Sequence, residues 1–200
     1  MGLFDRDRND SKKTEQSAAP ALAALTGTYT LDAAHSTIGF AARHAMVTNV
    51  KGGFEDFEGT LVLDGADPTR STASLDVRMA SVSTGNADRD KHLRSADFFD
   101  TDTYPTMSFR STSAEHLGGD DYRITGALSV LGTTKEITID LEFNGSATDP
   151  AGMERVGFEG RSELLRSEWG LTWNAALETG GVLVSDKIKL LFDISAVKTA

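Results

Sequence analysis

The sequence predicts an all-β fold, a single antiparallel barrel or sandwich with one short helix between strands, and three observations carry that expectation. From Gly27 onward, apolar and polar residues alternate with period two, the pattern of strands that bury one face and wet the other. Clusters of glycine, asparagine, aspartate and proline punctuate these runs. No alternation of strand and helix patterns appears of the kind that builds a parallel sheet. The length agrees, since 200 residues suffice for one domain with its own core.

Residues 1–26 mix charged and small residues, as in SKKTEQSAAP, and hold no sustained period. They are expected to form a mobile tail whose removal leaves the fold intact. Ala21–Leu25 has the composition of a helical turn but is too short to stand alone. Ile38, Phe40, Ala42 and His44 share one face of an early strand, whose last member is polar. Ala73, Leu75, Val77 and Met79 form the next such face, followed by Tyr122, Ile124, Leu128 and Val130. The clearest strand is Glu136–Asn144, with Ile137, Ile139, Leu141 and Phe143 on one side and Glu136, Thr138, Asp140 and Glu142 on the other. Ile188, Leu190, Phe192, Ile194 and Ala196 repeat the pattern. Turns are expected at Asp64-Gly65 with Asp67-Pro68, Gly118-Gly119-Asp120, Gly132-Thr133, Asn144-Gly145, Asp149-Pro150 and Gly180-Gly181.

The stretch NADRDKHLRS breaks the rule. It lacks period two and β-branched residues, Asn86 can cap a helix, and Asp88 and Asp90 suit the positive end of its dipole. A short helix is expected over Ala87–Ser95. Leu93, Phe98 and Phe99 are its apolar contacts, which places it over an opening in the sheet.

A net charge of -10 and a pI near 4.8 give a surface that repels nucleic-acid phosphates and anionic lipid headgroups. Without cysteine, neither a disulfide nor a thiolate zinc site can form. No apolar run approaches the ~20 residues needed to cross a bilayer, so stable membrane insertion is not expected. The opening MGLFDRDRND lacks a basic segment leading into an apolar one, which predicts a cytoplasmic protein. Met1-Gly2 invites myristoylation, but Arg6 stands where that motif needs Ser or Thr.

Arg89, Asp90 and His92 fall within one helical turn. As a ligand clamp, Arg89 would pair an anion and His92 would exchange a hydrogen bond with the headgroup. As a solvated helix face, the commoner fate of a charge run, an Arg–Asp pair there is worth ~0.5 kcal/mol. His35 and His44 flank a strand at a spacing unlike any metal motif, and no metal or cofactor is expected. No G-x-S-x-G elbow and no phosphate-binding glycine loop occurs, so an enzyme would have to rely on His92, Asp90 or His44 for acid–base work. Trp169 and Trp173, in SEWGLTWN, can stack on a ligand or close one end of a barrel.

Three segments in order carry a resemblance. GTYTLDAAHSTIGFAARHAMVTNVKGGFEDFEGTLVLD resembles the opening of the YceI-like, or polyisoprenoid-binding, family, with its aspartate, two histidines and G-x-F-x-x-F-x-G. ADRDKHLRSADFFDTDTYPTMSF and LSVLGTTKEITI are similar to two later family segments, and SEWGLTWN and VSDKIKLLFDISAVK also fit. The matching motif positions are Asp32, His35, His44, Gly52, Phe54, Phe57, Gly59, Arg89, Asp90, His92, Leu93, Asp97, Phe98, Phe99, Tyr104 and Pro105.

The resemblance implies that residues 27–200 form an extended, lipocalin-like antiparallel β-barrel of about eight strands with an apolar interior. It implies binding, storage or transport of a long-chain amphiphile such as an isoprenoid quinone, polyprenyl phosphate or similar lipid, with that lipid as the bound ligand and no cofactor, and it makes a homodimer one expectation. An enzyme acting on such a lipid and a filled barrel that binds nothing are the alternatives. The family's frequent export signal has no counterpart in the N-terminal residues. Under this reading the charged segment becomes a lid, with Leu93, Phe98 and Phe99 inward and Arg89 and His92 as a headgroup clamp. The full expected ligand-contacting set is His35, Phe40, His44, Arg89, Asp90, His92, Leu93, Phe98, Phe99, Ile139 and Trp169.

Overall fold

Residues 27–63 form one long hairpin that bends in the middle of both arms. Its first arm is β1 (Gly27–Leu31) and β2 (Thr37–His44), and its second is β3 (Thr48–Phe54) and β4 (Phe57–Leu63). β2 pairs with β3 and β1 with β4, both antiparallel. The break in the first arm is a 3-10 turn, Ala33–His35, started by Asp32, whose carboxylate accepts a hydrogen bond from the Ala34 amide. Gly52 in β3 makes room for the Phe40 ring, which a Cβ there would approach to 2.6 Å.

The chain continues through β5 (Thr72–Arg78), the two-residue β6 (Val82–Ser83), helix α1 (Ala87–Arg94), β7 (Thr106–Gly118), β8 (Asp121–Val130), β9 (Thr133–Thr148), β10 (Glu154–Leu165) and β11 (Val184–Lys198). The computed structural model describes residues 24–178 and 180–200. The predicted tail and helical turn therefore lie largely outside the described residues. At their described end, the Leu25 carbonyl accepts from the Tyr29 hydroxyl at 3.0 Å and the Thr26 hydroxyl accepts from the Gly65 amide at 3.0 Å.

Strands β1, β4, β5, β7, β8, β9, β10 and β11 neighbour one another in that order, and β1 pairs back onto β11, closing an eight-stranded antiparallel barrel. β11 is long enough to serve two partners. Its last residues, Ala196–Lys198, hold β1, while Val184–Asp193 hold β2. Here β2, β3 and β6 continue the sheet as a flap at one end of the barrel, and α1 follows β6 there.

The alternating faces point as their sequence predicts: Ile137, Ile139, Val77, Leu128, Val130, Ile194 and Ala196 are buried, and His44 is exposed at the end of β2. Asn86 caps α1 by accepting from the Arg89 amide at 3.0 Å. Asn144-Gly145 is corrected. It is a bulge inside β9, where Gly157 pairs Gly145 and Phe158 pairs Phe143, leaving Asn144 without an opposite residue. The reversal comes later, at Asp149, whose carboxylate accepts from the Ala151 and Met153 amides.

One polar network ties the β1–β2 corner to that reversal. Arg155 donates to Asp32 at 2.5 Å and to Asp149 at 2.8 Å, and His35 sits 2.8 Å from Asp32. The Arg155 hydrogen bond first, and then that of His35, hold the Asp32 carboxyl down at about 2. Its folded-state pKa lies below the unfolded value near 4, so its contribution is complete above pH ~4 and is lost as pH falls to about 2. Asp149 is shifted in the same direction by Arg155. The urea midpoint of the wild type should therefore fall between pH 4 and 2, and Asp32→Asn should be less stable at pH 7 and show a shallower fall across that window. Parallel profiles would remove Asp32 from the account.

Candidate functional site

Inside the barrel lies a cavity of about 280 Å³, near the lower end of the range for small-molecule sites, ~300–1,000 Å³. It is long. On β11 alone its wall runs from Val184 through Ile188, Leu190 and Phe192 to Ile194, a rise of ~33 Å along an extended strand. At the far end it reaches Leu25, Leu63 and Pro68, beside the β4–β5 connection. The wall is almost wholly aliphatic and aromatic, and among the described residues its charged members are Asp64 and Arg166.

The lid is built from α1 and the turns that follow it. Asp90 is buried and accepts from both the amide and the hydroxyl of Thr84, at 2.9 and 2.5 Å. Arg89 donates through Nε to the same hydroxyl and through Nη2 to the Thr84 carbonyl, at 2.7 and 3.0 Å. The two charges thus fasten the helix to Thr84, the residue that follows β6. Beyond the helix, the amides of Phe99 and Thr101 return to the carbonyls of Leu93 and Arg94, and Leu93, Phe98 and Phe99 line the cavity. Phe99 packs on Phe54 and Phe54 on Phe40, with centroids 6.0 and 5.9 Å apart. His92 lies outside this wall, edge-on to Phe98 and Trp173 and 2.8 Å from Asp97.

The expected ligand-contacting set therefore divides. Phe40, Leu93, Phe98, Phe99, Ile139 and Trp169 stand on the cavity wall. His35, His44, Arg89, Asp90 and His92 do not. His35 is on the exposed corner with Asp32, and Arg89 directs Nε and Nη2 at Thr84. Trp169 is buried, with its indole N–H donated to the Leu128 carbonyl at 3.1 Å, while Trp173 packs over Phe98 at 5.1 Å.

Arg166 is the residue that inspection of the sequence missed. It is 5% exposed, donates through Nε to the Ser185 carbonyl at 3.0 Å and through Nη1 to the Leu171 carbonyl at 2.7 Å. It has no carboxylate within ion-pair distance among the described residues. Burial pushes its pKa down, and the charge of Asp186 opposes that shift. Asp186 is itself engaged by the amide and hydroxyl of Ser167. A signal was present: Val156, Phe158 and Leu164 give β10 an inward face, and the same period of two extends to Arg166.

Comparison with known proteins agrees with this architecture. The model of the YceI-like domain matches residues 29–196. A UPF0312 protein of Azotobacter vinelandii is 37% identical over 150 residues, 74% of this chain and 78% of its own. A UPF0312 protein of Staphylococcus aureus is 36% identical over 169 residues, 84% of this chain and 95% of its own. Among solved structures, the Campylobacter jejuni YceI protein superposes with a TM-score of 0.69 at 30% identity, over 79% of this chain and 90% of that one. Burkholderia cenocepacia BcnA, at 22% identity and a TM-score of 0.73, covers 82% of this chain and 98% of its own and shares the fold. So does a polyisoprenoid-binding domain from Saccharophagus degradans, at 19% identity and 0.65, over 86% and 98%. A family match spanning almost the whole barrel, supported by relatives above 30% identity over most of the chain, places this protein in the YceI-like family.

Proposed function

We propose that the barrel binds a long-chain isoprenoid lipid, a quinone or polyprenyl derivative, and stores it or carries it between sites. The observation that carries this reading is the shape and chemistry of the cavity: long, narrow, apolar throughout its middle, and covered by Leu93, Phe98 and Phe99. Burying one methylene gains ~0.8 kcal/mol, so ~15 such groups gross ~12 kcal/mol before ordering costs. The description of the Saccharophagus relative as polyisoprenoid-binding supports the same ligand class.

Native mass spectrometry of the purified protein, followed by titration of the delipidated protein with geranylgeraniol, tests it. The expected result is a co-purified lipid mass or saturable binding of the alcohol, with quenching of tryptophan fluorescence because Trp169 lines the cavity. A protein that carries no lipid and takes up none from this titration is a filled barrel.

A further inference from the structure

We propose that the cavity is an oriented site for an amphiphile with an anionic oxygen headgroup, phosphate or carboxylate, which docks against Arg166 while the chain extends toward Asp64. This rests on the lipid-binding reading and specifies the head that the barrel selects.

Among the described residues, the two charged members of the wall stand at opposite ends. Arg166 follows β10 at the end where Leu165 pairs with Lys187 near the start of β11. Asp64 follows β4 at the end where Leu63 pairs with Gly27 and β11 finishes. Their local chemistry differs as well. The Asp64 carboxylate is occupied, accepting from the Ala66 and Asp67 amides and lying 3.4 Å from Arg70. Among the described residues, the hydrogen-bond partners of Arg166 are neutral carbonyls, which use Nε and Nη1.

A guanidinium this deeply buried, at 5% exposure, lacks most of its hydration. An anion beside it would restore that solvation through charge-assisted hydrogen bonds, which are roughly twice as strong as neutral ones. The same anion at the other end would meet a carboxylate. The barrel's overall charge of -10 does not oppose this arrangement, because a headgroup shielded from solvent responds chiefly to its nearest charge. Arg89 and His92, outside the wall, take no part in this contact.

The test compares three ligands with one chain: geranylgeranyl phosphate, geranylgeranoic acid and geranylgeraniol, titrated at pH 7.5 against delipidated protein. Wild type is expected to bind both anions roughly ten-fold or more tighter than the alcohol. Arg166→Gln should abolish that preference while retaining affinity for the alcohol, and Arg166→Lys should keep part of it. Asp186→Asn, which removes the carboxylate charge that acts on Arg166 and leaves the arginine in place, should enlarge the preference. It keeps the proposal testable if Arg166→Gln fails to fold. Equal binding of all three ligands by wild type overturns the headgroup assignment and leaves the lipid reading standing. Equal weakening of all three in Arg166→Gln assigns Arg166 to packing alone. Binding of none by wild type removes the lipid reading itself.

Discussion

Ile139→Asp is expected to abolish uptake of any long-chain lipid and to destabilise the barrel by several kcal/mol. Ile139 is 5% exposed on the inward face of β9 and forms part of the cavity wall. A carboxylate there would have no cation beside it on the wall, since among the described residues the one basic wall residue is Arg166 at the barrel's end, and an unpaired buried charge is among the costliest single changes. Loss of binding in this variant alone would not separate a blocked cavity from a damaged fold. Phe40→Asp makes the distinction. Phe40 also lines the cavity, but it is only partly buried and sits on the β2–β3 flap. It should lose lipid binding with a much smaller drop in urea midpoint. Retained geranylgeraniol binding in a folded Phe40→Asp protein would show that the chain does not run past the flap.

The second large effect falls on a glycine. Gly126→Ala is expected to cost about 1–3 kcal/mol, lowering the melting temperature by roughly 2–4 °C for each kcal/mol in a domain of this size. A Cβ at Gly126 would lie 2.5 Å from the Arg110 carbonyl oxygen, 2.6 Å from the Phe109 ring and 2.7 Å from the Ser111 Cα. Two of those neighbours are backbone, so relief requires β7 to move away from β8. This is where the β7–β8 register already shifts, between Ser111 and Ser113. Differential scanning calorimetry provides the check, and an unchanged transition would mean that β7 yields at no cost.

The strands were legible because burial on one face imposes period two: Ile137 and Ile139 in β9 and Ile194 and Ala196 in β11 are buried as their alternation requires. The helix was legible because its cap is local, with Asn86 and the Arg89 amide only three residues apart. The cavity end was harder. Arg89 and Arg166 are both arginines in charged surroundings, and their different fates depend on contacts that composition does not report. Arg89 meets Thr84, five positions away, whereas Arg166 is enclosed by the carbonyls of Leu171 and Ser185, the latter 19 positions away. Asn144-Gly145 misled for a related reason: the dipeptide encodes a backbone bend, and only the pairing with β10 decides whether that bend is a reversal or a bulge.

The seam between β1 and β11 also governs how the molecule is made. It joins residues such as Thr28 and Thr199, 171 positions apart, and β11 is at once the partner of β10, β1 and β2. Until that strand is available, the first hairpin can form locally but has nothing to close against, and β10 presents an open edge. Pairings of such sequence separation, between β11 and both β1 and β2, raise the contact order, and a higher contact order slows folding. During synthesis the open edges of β1, β2 and β10 remain exposed until β11 leaves the ribosome, and in that interval exposed strand edges favour intermolecular strand pairing and chaperone capture.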